Sequence, residues 1–174
     1  MQRLTGRIAN GPTRVGFTGP PARLAAAPPR LASGRAEVPW QVLAGGDRTA
    51  GQVIFGEAHL PARSPGPGLH VHTREDEAVF VISGVMTFVV GDRRFEAGGG
   101  DLVWLPRTVP HTFANLGDEP VWAFGSTTPA GLEGMFEEQS AYFAALRGPP
   151  DPDRVREIGA RYGAQSLGPP LQPD

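Results

Sequence analysis

From Val38 to Ser126 the chain alternates short apolar runs with clusters of turn-forming residues. The runs are Val38–Ala44, Gln52–Leu60, Leu69–His72, Ala78–Ile82, Val85–Val90, Arg94–Ala97, Leu102–Leu105, Thr112–Leu116 and Val121–Ser126. Between them lie Ala44-Gly45-Gly46-Asp47, Ser64-Pro65-Gly66-Pro67-Gly68, Ser83-Gly84, Gly91-Asp92, Gly98-Gly99-Gly100 and Gly117-Asp118-Glu119-Pro120. Many short strands at spacings near ten residues predict an all-β sandwich or barrel over residues 37–128. After Pro129 the period becomes helical. Leu132, Met135, Phe136, Phe143 and Leu146 fall on one face, with Glu133, Glu137 and Glu138 mostly off it. Pro149, Pro150 and Pro152 end that helix, Asp153–Tyr162 reads as a second, shorter one, and a Gly/Pro-rich tail completes residues 129–174.

Residues 1–36 break the pattern. They hold six Arg and no acid, and Pro20-Pro21 and Pro28-Pro29 interrupt any helix, so a flexible arm is expected. No apolar run reaches the roughly 18 residues of a membrane helix, and the arm has no secretory apolar region. The expectation is a cytoplasmic protein without a membrane partner. The 174 residues suit one domain with tails, and 40% hydrophobic content supports a core. Sixteen cations against eighteen acids, net −2, argue against a nucleic-acid partner. All sixteen cations are Arg and no Cys is present. Schiff-base lysine chemistry, thiolate nucleophiles, iron–sulfur clusters and disulfides are thereby excluded. The chemistry must come from His, carboxylates and hydroxyls. No Gly-x-Ser-x-Gly elbow occurs, and Gly98-Gly99-Gly100 leads into a strand rather than a helix, so it is a turn and not a dinucleotide fingerprint.

Three of the four histidines are placed unusually. His70 and His72 stand two apart in a predicted strand, so both project from one face. Glu77 follows across a short turn, and His111 comes after the prolines at 106 and 110 and just before another strand. Two imidazoles on one strand face, a carboxylate and a distant third imidazole form an N/O ligand set that suits iron, manganese, nickel, copper, cobalt or zinc.

These residues carry a family resemblance. Leu69–Gly84, LHVHTREDEAVFVISG, and Gly100–Asn115, GDLVWLPRTVPHTFAN, resemble the two motifs of the cupin superfamily. Two positions depart from those motifs, Ser64 and Thr108, where glycines are usual. The resemblance implies a cupin-type antiparallel jelly-roll barrel with one or two C-terminal helices packed outside. It also implies that His70, His72, Glu77 and His111 bind one divalent transition metal ion. The helical segment beginning TPAGLEGMFEE is similar to tails on small quercetin-dioxygenase-like cupins. That implies a metal-dependent oxygenase for a small aromatic or enolisable substrate, with Glu77 as the catalytic acid/base. A non-oxidative isomerase or cyclase and a non-catalytic small-molecule-binding cupin are the alternatives.

Alternation from Glu77 puts Val79 and Val81 on its face, and alternation from His111 adds Phe113 and Asn115. Val79, Val81 and Phe113 are expected to wall a dry substrate pocket, with His59 at its rim and Asn115 pinning a turn. The other face of the same strand carries Phe80 and Ile82, and the C-terminal helix can cover only part of it. A homodimer burying that sheet face is expected.

Overall fold

Strand alternation and turn chemistry build the barrel, and two C-terminal helices extend its interior. The computed structural model describes residues 40–172, so the arm expected over 1–36 lies outside the described residues. In chain order the elements are β1 (Trp40–Ala44), α1 (Gly46–Thr49), β2 (Ile54–Leu60), β3 (Gly68–His72), β4 (Asp76–Ser83) and β5 (Val85–Val90). They continue with β6 (Arg93–Gly98), β7 (Leu102–Leu105), β8 (His111–Ala114), β9 (Val121–Thr128), α2 (Glu133–Ala145), α3 (Pro152–Arg161) and β10 (Ala164–Pro170). Two five-stranded antiparallel sheets, ordered β1-β2-β9-β4-β7 and β10-β3-β8-β5-β6, face each other as a jelly roll.

Period-2 alternation decides what fills the space between the sheets. On β4 Val79 and Val81 are buried while Phe80 and Ile82 are exposed. With Met86 and Phe88 of β5, Val103 and Leu105 of β7, and Val121 and Ala123 of β9 they form the main core. A second core joins Val42 and Ile54 of the first sheet to Leu132, Met135, Ile158 and Ala164 of the C-terminal segment. The helices therefore share interior with the barrel, where the sequence placed them simply outside it.

Capping and side-chain pairs hold that segment in place. Asp151 caps α3 by accepting the Asp153 N–H at 2.9 Å, with Pro152 opening the helix. The Glu133 carboxylate accepts the N–H groups of Gly46 and, at 2.9 Å, of Gly131, tying the start of α2 to α1. Arg161 and Tyr162 both donate to Glu138, joining the end of α3 to α2.

The segment 164–170, read from its sequence as part of a tail, is strand β10. It runs antiparallel to β3 with Ala164, Gln165 and Ser166 opposite His72, Val71 and His70. The Thr73 N–H and hydroxyl both donate to Gly163 O, at 2.9 and 3.0 Å, and lock the register at its start. Gly168, Pro169 and Pro170 hid the strand because such residues signal a break, yet proline is tolerated on an edge strand, and β10 is the edge of its sheet.

The two departures from the motif glycines also find local reasons. Ser64 pairs its backbone with Asn115, N–H to O, at 2.9 and 3.1 Å, so it sits in an ordinary bridge. Gly66 takes the close approach instead, since a Cβ there would lie 1.5 Å from Phe113 O. Thr108 adopts φ 66°, the left-handed conformation that the usual glycine would take without cost.

Ending the chain after Gly163 would strip β3 of a hydrogen-bonded neighbour and open the second core at Ala164. The thermal midpoint should fall by at least about 5 °C. A truncated chain that melts with the full-length one by circular dichroism would contradict a structural role for β10.

Candidate metal centre

Three elements bring the site together. His70 and His72 project from the same face of β3, and the short turn after them returns the chain into β4 at Glu77. Strand β8 pairs with β3 so that His111 stands directly opposite His70. The loop before β8 is fastened to both strands. Arg107 donates its backbone N–H and guanidinium to the two oxygens of Asp76, at 2.8 and 2.7 Å. The Thr108 N–H donates to His72 O at 2.7 Å. His70, His72, Glu77 and His111 each place one ligand atom within 4.8 Å of the others.

Backbone contacts fix which ring nitrogens face the site. His70 Nδ1 lies 2.7 Å from Gly68 O, and His111 Nδ1 lies 2.9 Å from Val109 O. A carbonyl only accepts, so both Nδ1 atoms carry a proton and each ring has only its Nε2 left as a possible ligand atom. His111 Nε2 stands 3.2 Å from Glu77 Oε2, and His72 Nε2 stands 3.5 Å from Glu77 Oε1. His111 is fully buried, and its Nε2 has no hydrogen-bond donor. A buried ring nitrogen without a hydrogen-bond partner, grouped with a carboxylate and two further imidazoles, suits a site that a cation fills. The residues therefore fit a metal ion, and could hold one.

The protonation states agree with that role. Burial lowers His70 from the ordinary 6.5 to about 4, against the opposing pull of Glu77, with His111 and His72 adding to the fall. Burial also lowers His72. For Glu77 burial pushes up, but the contact with His111 and the neighbouring imidazoles more than offset it and hold the carboxyl at about 2. At neutral pH His70 and His72 are neutral imidazoles and Glu77 is a carboxylate. Imidazoles that bind a metal are neutral donors, so the four residues with a divalent ion would carry a net charge of about +1.

A cavity of about 590 Å³ opens from His70, His72 and Glu77 toward α2 and α3. Val79 and Phe113 line it, as the alternation predicts. Val81 does not, because it lies one strand repeat further along β4 and is sealed within the main core. His59 is not at the rim. Ala58 and Leu60 take the inward positions of β2, so His59 faces out and stacks on Trp122 at 5.4 Å. Asn115 is fully buried, accepts the Gly117 N–H at 3.1 Å and donates to the carbonyls of Pro61 and Glu119 at 2.7 and 2.8 Å, which pins the turn.

The sequence reading missed much of the cavity wall. Trp40, Met135, Phe136, Gln139, Phe143 and Gln165 all line it. Trp40 lies across Gly56 and Gly125, where a Cβ on either would come within 2.5 Å of the indole. Those two glycines are register partners on β2 and β9. Paired glycines inside otherwise apolar strands signal the close approach of another group, and that signal was present.

Residues 56–124 match the family model described as Cupin domain. The matched stretch spans β3 to β8 and contains all four residues of the site, so the barrel that carries them is similar to a cupin domain. Among solved structures it is similar to an uncharacterized conserved protein with a double-stranded beta-helix domain from Klebsiella pneumoniae subsp. pneumoniae MGH 78578. That pair is 20% identical over 56% of this chain and 84% of the other, with TM-score 0.49. The cupin domain of Schizosaccharomyces pombe Cnp3 is 15% identical, over 60% of this chain and 73% of that one, with TM-score 0.48. An oxalate decarboxylase from Lactobacillus farciminis, in complex with formate, is 17% identical over 55% of this chain and 30% of that one, with TM-score 0.49. Identities of this size leave the reaction open. Comparison with curated proteins finds no match.

The lowered His70 value has a consequence for the metal-free protein. An unfolded His70 takes a proton near pH 6.5, whereas the folded one resists until about 4. The unfolded state binds more protons across that window, so stability should fall as pH drops from 6.5 to 4, by a few kcal/mol for a shift of this size. His70→Ala should flatten the slope of stability against pH. The comparison separates His70 from Glu75, a buried carboxylate that burial raises. Equal slopes in urea titrations of the two proteins would contradict the burial of a neutral imidazole.

Proposed function

We propose that this cupin is a metal-dependent oxygenase acting on a small aromatic or enolisable substrate. The observation that supports it is the continuity of a His/Glu ligand set with a largely apolar cavity of about 590 Å³. Cavities of this size hold a compact organic molecule. Its walls include Val79, Phe113, Met135, Phe136 and Phe143, which favour a planar apolar body and exclude water.

A bound transition ion would act as Lewis acid and as the point where dioxygen and substrate meet. The chain's own residues do the rest. His70, His72 and His111 would hold the ion as neutral donors, their Nδ1 contacts at His70 and His111 keeping the Nε2 lone pairs aimed inward. Glu77 lies in the cavity wall and is ionised, so it can take the proton of a substrate hydroxyl. The imidazoles that hold it ionised also make it a weak base, so the hydroxyl must itself be acidic, as in a phenol or an enol. Gln139 and Gln165, which also line the cavity, offer amides to polar groups of the substrate. Dioxygen is the co-reactant, and both of its atoms are expected in the product.

Screening phenols and 1,3-diketones with an oxygen electrode tests this reading. A substrate should consume dioxygen in step with its own loss and incorporate label from isotopic dioxygen. Glu77→Gln should retain part of the metal but lose at least about 100-fold in turnover. A substrate converted at the same rate without oxygen would overturn the oxygenase reading in favour of Lewis-acid isomerisation.

A further inference from the structure

Helix periodicity decides which face of each C-terminal helix meets the cavity. Met135, Phe136, Gln139 and Phe143 of α2 line it, and so do Pro152, Val155, Arg156 and Gly159 of α3. Residues three and four apart share one helix face, so each set is a single stripe turned to the cavity. Arg156 is the one charged residue in the two stripes. Asp153, Arg154, Glu157 and Arg161 of the same helix lie off the stripe and are exposed. Around the whole cavity wall the charged side chains are Glu77 of the ligand set and Arg156. The Arg156 side chain is 56% exposed as well as part of the wall, so it stands where the cavity meets solvent. Its fork is mostly uncommitted. Only Nη2 is engaged, by Asp153 Oδ1 on the same helix. That partner is three residues away and its side chain is 80% exposed. Ion pairs of this kind contribute little and are screened by salt, so a ligand can take the place of Asp153 at small cost. Asp153 also lies in the first turn of α3, where an acid is favoured without any partner.

We infer that the substrate carries a carboxylate and that Arg156 is the residue that binds it and selects for it. This rests on the reading of the cavity as the substrate chamber. A guanidinium presents parallel N–H groups that match the two oxygens of a carboxylate. One cation in the wall answers one singly charged group. A phosphate, with more oxygens and more charge, calls for further donors, and the wall holds no second cationic side chain. The field of the loaded chamber agrees. A divalent ion and Arg156 against the ionised Glu77 give a net charge of about +2, which draws an anion in from solvent. The apolar remainder of the two stripes, Met135, Phe136, Phe143 and Val155, then faces the body of the molecule. The chemical class that uses all of these features is an aromatic or enolic acid, with a carboxylate for Arg156 and a hydroxyl for Glu77.

Calorimetric titration of the metal-loaded full chain with hydroxybenzoates and hydroxycinnamates, each beside its primary amide, tests this without requiring turnover. The amide keeps the ring, the hydroxyl and the shape and removes only the charge. The acids should bind the wild type at least about 10-fold tighter than their amides, and the preference should shrink as salt is raised. Arg156→Gln should bring acid and amide to equal affinity, with amide affinity, metal content and melting temperature those of wild type. Arg156→Lys should restore part of the preference, because the charge returns without the fork. A preference that survives in Arg156→Gln overturns the inference and gives the carboxylate to the ion. Equal binding of acid and amide by the wild type overturns it as well, and leaves the substrate chamber standing. If no compound of either kind binds, the chamber reading falls together with the inference.

Discussion

Taking a hydrogen-bond acceptor out of water without giving it a donor is costly, and gathering several acceptors at one point compounds the cost. This fold does so at the junction of β3, β4 and β8. The carbonyls of Gly68 and Val109 claim the Nδ1 protons of His70 and His111, which leaves Nε2 as the remaining nitrogen of each ring, that of His111 standing 3.2 Å from Glu77. The main core beside the site consists of apolar residues such as Val79 and supplies no donor to it. A cation is the simplest partner for such a site. The rest of the structure keeps the acceptors converged: the Arg107–Asp76 pair, the Thr108 contact to His72 O, and the edge strand β10 along the histidine strand.

The same arrangement accounts for residues with no chemistry of their own. Gly66 lets the β2–β3 loop pass against Phe113, and Thr108 accepts a left-handed backbone so that the loop before His111 can reach His72. Gly56 and Gly125 clear the space for Trp40, which in turn forms cavity wall. The helices complete that wall and contribute a core of their own, so the segment after the barrel supplies part of the chamber as well as stability.

What the sequence made legible was local. A two-residue spacing on a strand fixes a shared face, so His70 with His72, and Glu77 with Val79, could be placed from alternation alone. Nine strands were visible because clusters rich in Gly, Pro and Asp separate most of them. What escaped was non-local. Strand β10 exists because β3 offers it a free edge, and nothing within 164–170 announces that. Trp40 and the helix residues reach the cavity through the packing of distant segments. His59 was assigned to the rim by proximity along the chain, but the phase of β2, set by Ala58 and Leu60, turns it outward. Strand phase is a matter of counting once one inward residue is known, and β2 carries no ligand to count from.

The central claim is that the four residues form a preformed site for one cation. Calorimetric titration of a divalent transition ion into metal-free protein at pH 7 measures stoichiometry and affinity together. The wild type should take up one ion per chain, and His72→Ala should lose most of that binding. Failure of the wild type to bind, or equal binding by His72→Ala, would contradict the account.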